Sequence, residues 1–183
     1  MDSDPILSSA LDIYADEASM RNEYGEILDI KSNKQEINDS LHNLFYDVLN
    51  IEFNLWTWIR NIAKYGDMYL KLDIVENIGV TNVIPLSPYG VERDENPTNP
   101  DEVFFRYDES YSIYTIGSRE RQFFKDYEVA HFRLLSDSNF LPYGKSMLEA
   151  ARKVWKQLTL MEDAMLIHRV MRAPEKRVFK IDV

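Results

Sequence analysis

The arrangement in this sequence most capable of chemistry is the triplet Asp29, Ile30 and Lys31. An acid-x-Lys triplet on a strand, joined by an earlier acid, is how metal-dependent nucleases hold a divalent cation and a water. Asp16 or Glu17 would supply that earlier acid. Against this stands chance: among 21 Lys and Arg and 31 Asp and Glu residues, three charged positions match such a pattern easily. The plainer reading of Asp12, Asp16 and Glu17 is a solvated acidic helix face, and we favour it. Other chemistries lack their parts. There is no cysteine, which removes disulfides, thiolate nucleophiles and sulfur-ligated zinc, and fits a reducing cytoplasm. His42, His131 and His168 have no short ligand spacing. The six glycines are scattered singly, so no phosphate-binding loop is present, and no serine sits in a Gly-x-Ser-x-Gly elbow. No cofactor and no small-molecule substrate are expected.

Five basic residues near the end, Arg169, Arg172, Lys176, Arg177 and Lys180, form the other notable cluster. Cations near a helix C-terminus are favourably placed, so composition alone favours a solvated helix end over phosphate contact. The whole chain carries a net charge of −10, which argues against a protein that coats nucleic acid. That average hides an asymmetry. Residues 1–141 hold 12 Lys and Arg against 26 Asp and Glu, whereas residues 142–183 hold 9 against 5. Two parts with different electrostatic surroundings follow.

The elements that would position these residues begin with a helix capped by Asp4, with Pro5 at its first position and a stripe of Leu7, Leu11, Tyr14 and Ala18. Gly25 suggests a hairpin whose return strand is Glu26 to Lys31. Ser32 and Gln35 have the spacing of a capping box for a second helix, with a stripe through Ile37, Leu41, Leu44 and Val48. Leu55, Ile59 and Ile62 continue that logic past Asn50, so one helix bends there or two follow each other, and Gly66 caps the end. Trp56 and Trp58 cannot share one narrow face. From Met68 the period becomes two, predicting a strand to Val75. Val80 to Leu86 is a second strand, which Pro85 confines to an edge or a strand end. Val103 to Tyr107, Tyr111 to Ile116 and Val129 to Leu135 complete the set, with an exposed loop over Asp94 to Asp101. Helices followed by a mainly antiparallel sheet make an α+β fold.

Lys145 through Arg172 contains neither glycine nor proline and favours strong helix formers. Met147, Ala151, Val154, Leu158, Met161 and Met165 recur every three or four residues, predicting one apolar stripe on a helix of about 40 Å. These six are candidates for helix packing or a subunit interface. Pro174 stops the helix near Arg172. Phe179, Ile181 and Val183 then alternate with Val178, Lys180 and Asp182 in a strand that needs partners from elsewhere. No apolar run approaches the roughly 20 residues that span a bilayer, and the acidic start lacks a signal-peptide pattern, so a soluble intracellular chain is expected.

The stretch from Leu141 to Val183, and MRAPEKRVFKIDV within it above all, resembles the portal protein of contractile-tailed bacteriophages. ALDIYADEAS from Ala10, LFYDVLNIEFNLWTWIRNIAKYGDMYLKLDI from Leu44 and VTNVIPLSPYGVER from Val80 are similar to that family in the same order. The resemblance implies a ring of twelve subunits at one capsid vertex of the virion, assembled inside the bacterial host, and no enzymatic activity. Its partners would be the terminase large subunit, neck and tail-completion proteins, major capsid and scaffold proteins, and duplex DNA held weakly and without sequence preference as it passes. Residues 1–141 would be the wing, 142–173 the helix from wing into stem, and 174–183 the start of the clip, with further portal segments beyond both ends. Lys176, Arg177, Phe179 and Lys180 would then dock partners at the clip, and Arg169 and Arg172 would supply positive charge in the stem or channel. A generic α+β virion module and the nuclease are the alternatives.

Overall fold

The computed structural model describes residues 1–95, 102–108, 121–135, 141–172 and 179–180. It divides into two compact units, residues 2–147 and 148–183. In the first, helix α1 spans Pro5–Ala18 and begins as its sequence dictates: Asp4 Oδ1 accepts from the amides of Ile6 at 2.9 Å and Leu7 at 3.4 Å, ahead of Pro5. Its buried residues are Leu11 and Ala15, whereas Tyr14 and Ala18 of the expected stripe are exposed. The face is turned because α1 packs on a single helix, α3, and one helix covers only a narrow strip.

The expected hairpin at Gly25 is a turn without a ladder. Asn22 takes the Tyr24 and Glu26 amides on its side chain, and nothing from 26 to 34 is a strand. Glu26 to Lys31 finds no neighbouring strand to pair with; its backbone is held instead by Tyr46, whose hydroxyl donates to the Leu28 carbonyl at 2.8 Å. The capping box is also absent. Helix α2 spans Gln35–His42 with Lys34 at its N-cap and no side-chain cap, while Ser32 Oγ accepts from Lys34 N in a local turn. Residues Asn43–Val48 form a π-helical turn, Asn50 turns left-handed at φ 43°, and α3 follows over Ile51–Tyr65. Two helices in succession is therefore the outcome. Gly66 ends α3 at φ 89°, its amide bonded to the Ile62 carbonyl at 2.7 Å.

Two three-stranded antiparallel sheets come next, giving the α+β architecture. Strand β1 (Asp67–Val75) lies between β2 (Gly79–Leu86) and β6 (Val129–Arg133). The second sheet orders β3 (Val91–Glu95), β4 (Val103–Asp108) and β5 (Arg121–Lys125). Pro85 sits on β2, an edge strand, where a residue without an amide donor is best tolerated. Tyr69, Leu86, Val91, Phe105, Tyr107, Phe124 and Val129 form the core from both sheets. Met68 and Leu70 are buried as well, because β1 also packs against α3. The predicted strand over Tyr111 to Ile116 lies outside the described residues.

In the second unit, α4 spans Arg152–Arg172, about 32 Å, and starts seven residues later than predicted. The body accounts for the delay, since residues 144–146 are bonded to it and cannot wind into a helix. A 3-10 turn at Met147–Glu149 comes before α4. No residue of α4 is buried. Residues 179–180 carry no regular structure, and the remainder of the predicted terminal strand lies outside the described residues.

Candidate assembly surfaces and the strap that leads to them

Asp67 opens β1 immediately after the Gly66 cap, and its carboxylate is the buried polar group around which the end of the body is built. Oδ1 accepts from Gly144 N at 2.8 Å and lies 2.8 Å from His131 Nε2. The imidazole stacks on Tyr69, ring centroids 4.4 Å apart, and meets the edge of Phe105 at 6.0 Å. Burial raises the Tyr69 hydroxyl pKa well above its usual value. Backbone bonds extend the arrangement: Leu134 N donates to the Gly66 carbonyl at 2.8 Å and Lys145 N to the Leu134 carbonyl at 3.2 Å. Ser146 Oγ donates to the Lys64 carbonyl at 2.5 Å, satisfying one of the orphan acceptors at the end of α3. Arg133 donates to the Pro142 carbonyl, and the Tyr143 hydroxyl accepts from Arg93 N.

Residues 141–146 are thus a strap tied to the end of α3 and to β1, β3 and the end of β6. Its closest approach is glycine on glycine. A methyl group on Gly144 would collide with the Gly66 carbonyl, and one on Gly66 would stand 2.7 Å from backbone atoms of Lys145 and Ser146. No local sequence signal reveals this arrangement, since Asp67, His131 and Gly144 are separated by 64 and 77 positions from first to second and third.

The predicted site residues separate into groups. Val154, Leu158, Met161 and Met165 lie on one side of α4 and are exposed, whereas Met147 and Ala151 precede the helix. The single stripe is a correction in a second respect: Leu160, Leu166, Ile167, Val170 and Met171 are exposed too and lie elsewhere around the helix. Arg169 and Arg172 occupy its last turn, exposed. Phe179 and Lys180 are exposed, while Lys176 and Arg177 lie outside the described residues.

Two of the three acids on the α1 face, Asp12 and Asp16, have side-chain partners, as does Asp2 ahead of the helix, while Glu17 is exposed. Arg60 Nε meets Asp12 at 2.6 Å, Arg60 Nη2 meets Asp2 at 3.0 Å, and Lys64 Nζ meets Asp2 at 2.7 Å. Hydrogen bonds from Lys64 and Arg60 hold the Asp2 carboxyl below its ordinary value. Trp56 Nε1 donates to Asp16 at 2.7 Å. Asp29 pairs with its own Lys31 at 2.5 Å. Among the described residues no three His, Asp or Glu side chains converge as a metal site, so the nuclease triplet is not assembled. Nor is any described helix long and apolar enough to cross a membrane.

The chain belongs to the T4-like portal protein family: the family model described as Bacteriophage T4-like portal protein (Gp20) matches residues 1–183. It is also similar to the portal protein of Vibrio phage KVP40, 44% identical over 54 residues that make up 30% of this chain. That match spans 11% of the relative's length.

Proposed function

We propose that this chain is the wing, stem passage and first part of the clip of a portal subunit, in a twelve-membered ring at one capsid vertex. The family match over all 183 residues carries the reading. Residues 1–141 serve as the wing, 142–173 pass from wing into stem, and 174–183 open the clip. The ring conducts duplex DNA during packaging and ejection, contacting it weakly, because tight phosphate contacts with steep salt dependence would resist sliding. A net charge of −10 suits such a conduit. Lys176, Arg177, Phe179 and Lys180 dock the terminase and later the neck proteins. The mass of the full-length protein tests the ring, with a closed twelve-subunit particle expected and a monomer fatal to the reading. Arg177→Glu with Lys180→Glu in that protein is expected to abolish packaging while leaving ring mass unchanged. Normal packaging by the double variant would remove the docking assignment.

A further inference from the structure

Two arginines of the body stand in rows of inward-facing side chains. Residues two apart on a strand share a face, so Arg93 follows buried Val91 on the inner side of β3, opposite buried Phe105. Arg133 follows Val129 and His131 on β6 in the same way, His131 lying opposite buried Tyr69. With Asp126 these three polar side chains line a pocket of about 260 Å³, floored by Val103, Phe105 and Val129. One donor in it is orphaned: Arg93 Nε is buried without a hydrogen-bond partner, although Nη2 reaches Glu95 at 3.0 Å. The His131 side chain, only 8% exposed, has Nε2 on Asp67, and no described residue bonds its other ring nitrogen. Arg133 gives Nη1 to the Pro142 carbonyl at 2.8 Å and leaves its other nitrogens for a further acceptor. A buried guanidinium nitrogen without an acceptor is costly, and here donors from two sheets converge on one space. A water would satisfy Nε, but at about 30 Å³ it fills a small part of that space.

We propose that this pocket binds a carboxylate, which accepts from Arg93 Nε, His131 and Arg133 and so joins β3 to β6 beside the strap. The charge already present selects among acceptors. Glu95 and Asp67 lie at 3.0 Å and 2.8 Å from Arg93 and His131, and Asp126 lines the pocket itself. A carboxylate adds one negative charge to these three, whereas a phosphate adds up to about two and meets more repulsion. The planar carboxylate also matches the guanidinium fork, and the carbons that carry it can lie on the apolar floor. A free acid and an aspartate or glutamate side chain of another protein present the same group. The site lies wholly within the body and does not depend on a ring. Its occupant would brace the strap, because Tyr143 already meets the Arg93 amide and Pro142 the Arg133 side chain.

Titration of the 15N-labelled chain at neutral pH tests the site, with sodium acetate set against sodium chloride at equal ionic strength. Acetate is expected to move the resonances of Arg93 Nε–H, the His131 ring and the Gly144 amide along saturating curves, and chloride to leave them in place. Arg93→Leu, an apolar side chain in an inward-facing row, should weaken acetate binding about tenfold or more while the remaining spectrum stays that of the folded chain. Arg133→Gln, at an exposed residue, must weaken it as well, which keeps the test decisive if Arg93→Leu disturbs the sheet. A short peptide, acetyl-Ala-Glu-Ala-amide, then decides the source. Binding tighter than that of acetate assigns the site to a protein side chain, and binding no tighter assigns it to a free acid. Shifts that never saturate, or that survive both substitutions, would mean that the pocket holds water only and would overturn the proposal. Equal binding by the Gln form of the peptide, or tighter binding of inorganic phosphate than of acetate, would overturn the choice of a carboxylate.

Discussion

Residues 2–147 bury polar groups together with apolar ones, and α4 buries neither. In the body, the Asp67 carboxylate is withdrawn from water because Gly144 and His131 replace the water it loses. In α4 the side chains from Val154 to Met171 make no core at all. The difference separates two sources of order. The body's packing is supplied by its own sequence, whereas α4 has propensity and local bonds and no buried residue. Substitutions in this chain should therefore cost much in the body and little on the helix, and graded experiments can break that contrast.

The largest effect is expected at the glycine contact. Gly144→Ala and Gly66→Ala force backbone against backbone, the latter also at φ 89°, and should each cost about 3 kcal/mol or more in urea unfolding. A loss below about 1 kcal/mol would mean that the strap is not held as described. Next comes Asp67→Ala, which leaves the Gly144 amide and His131 without their acceptor and should cost about 2 kcal/mol, with Asp67→Asn restoring part of it.

Asp2→Asn should cost only about 1 kcal/mol at neutral pH, the scale of a solvent-accessible ion pair. The folded carboxyl titrates below 3.8, so its contribution is fully present above that value and is lost as pH falls through the lower folded value. The gap between parent and variant in unfolding curves should be constant near neutrality and close in acid. At the bottom of the scale, Leu158→Ala and Met161→Ala in this chain should shift stability by no more than about 0.5 kcal/mol. A cost of 2 kcal/mol there would show that the body already covers the helix, and the contrast would fail.

How much of this was legible depends on how local the causes are. The Asp4 and Pro5 cap, the Gly66 stop, the break at Asn50 and the edge position of Pro85 each follow from one or two residues, and the structure agrees. Strands β3 and β5 were not anticipated, because charge hides their alternation: VERDE and RQFFK read as surface segments until sheet pairing supplies their neighbours. Asp12 and Asp16 looked solvated for the same reason, as Arg60 and Trp56 lie some forty or more positions away. The start of α4 was placed at Lys145 by propensity alone. Tertiary bonds to residues 144–146 override that preference, and nothing near them in sequence announces it. As for the candidate assembly residues, one apolar side of α4 was visible as a stripe, but the apolar residues elsewhere around it were not, since a search for one stripe passes over them.

The strap also has a mechanical meaning. Any pull on the chain beyond residue 147 enters the body through residues 141–146, and there it meets Gly144 on Asp67, Lys145 on Leu134 and Ser146 on Lys64 within three consecutive residues. Load is thereby divided among a helix end, the first residue of a central strand and the segment just past an edge strand, so that none of these bonds bears it alone. A chain pulled through this strap would draw its resistance to tearing from that division of force.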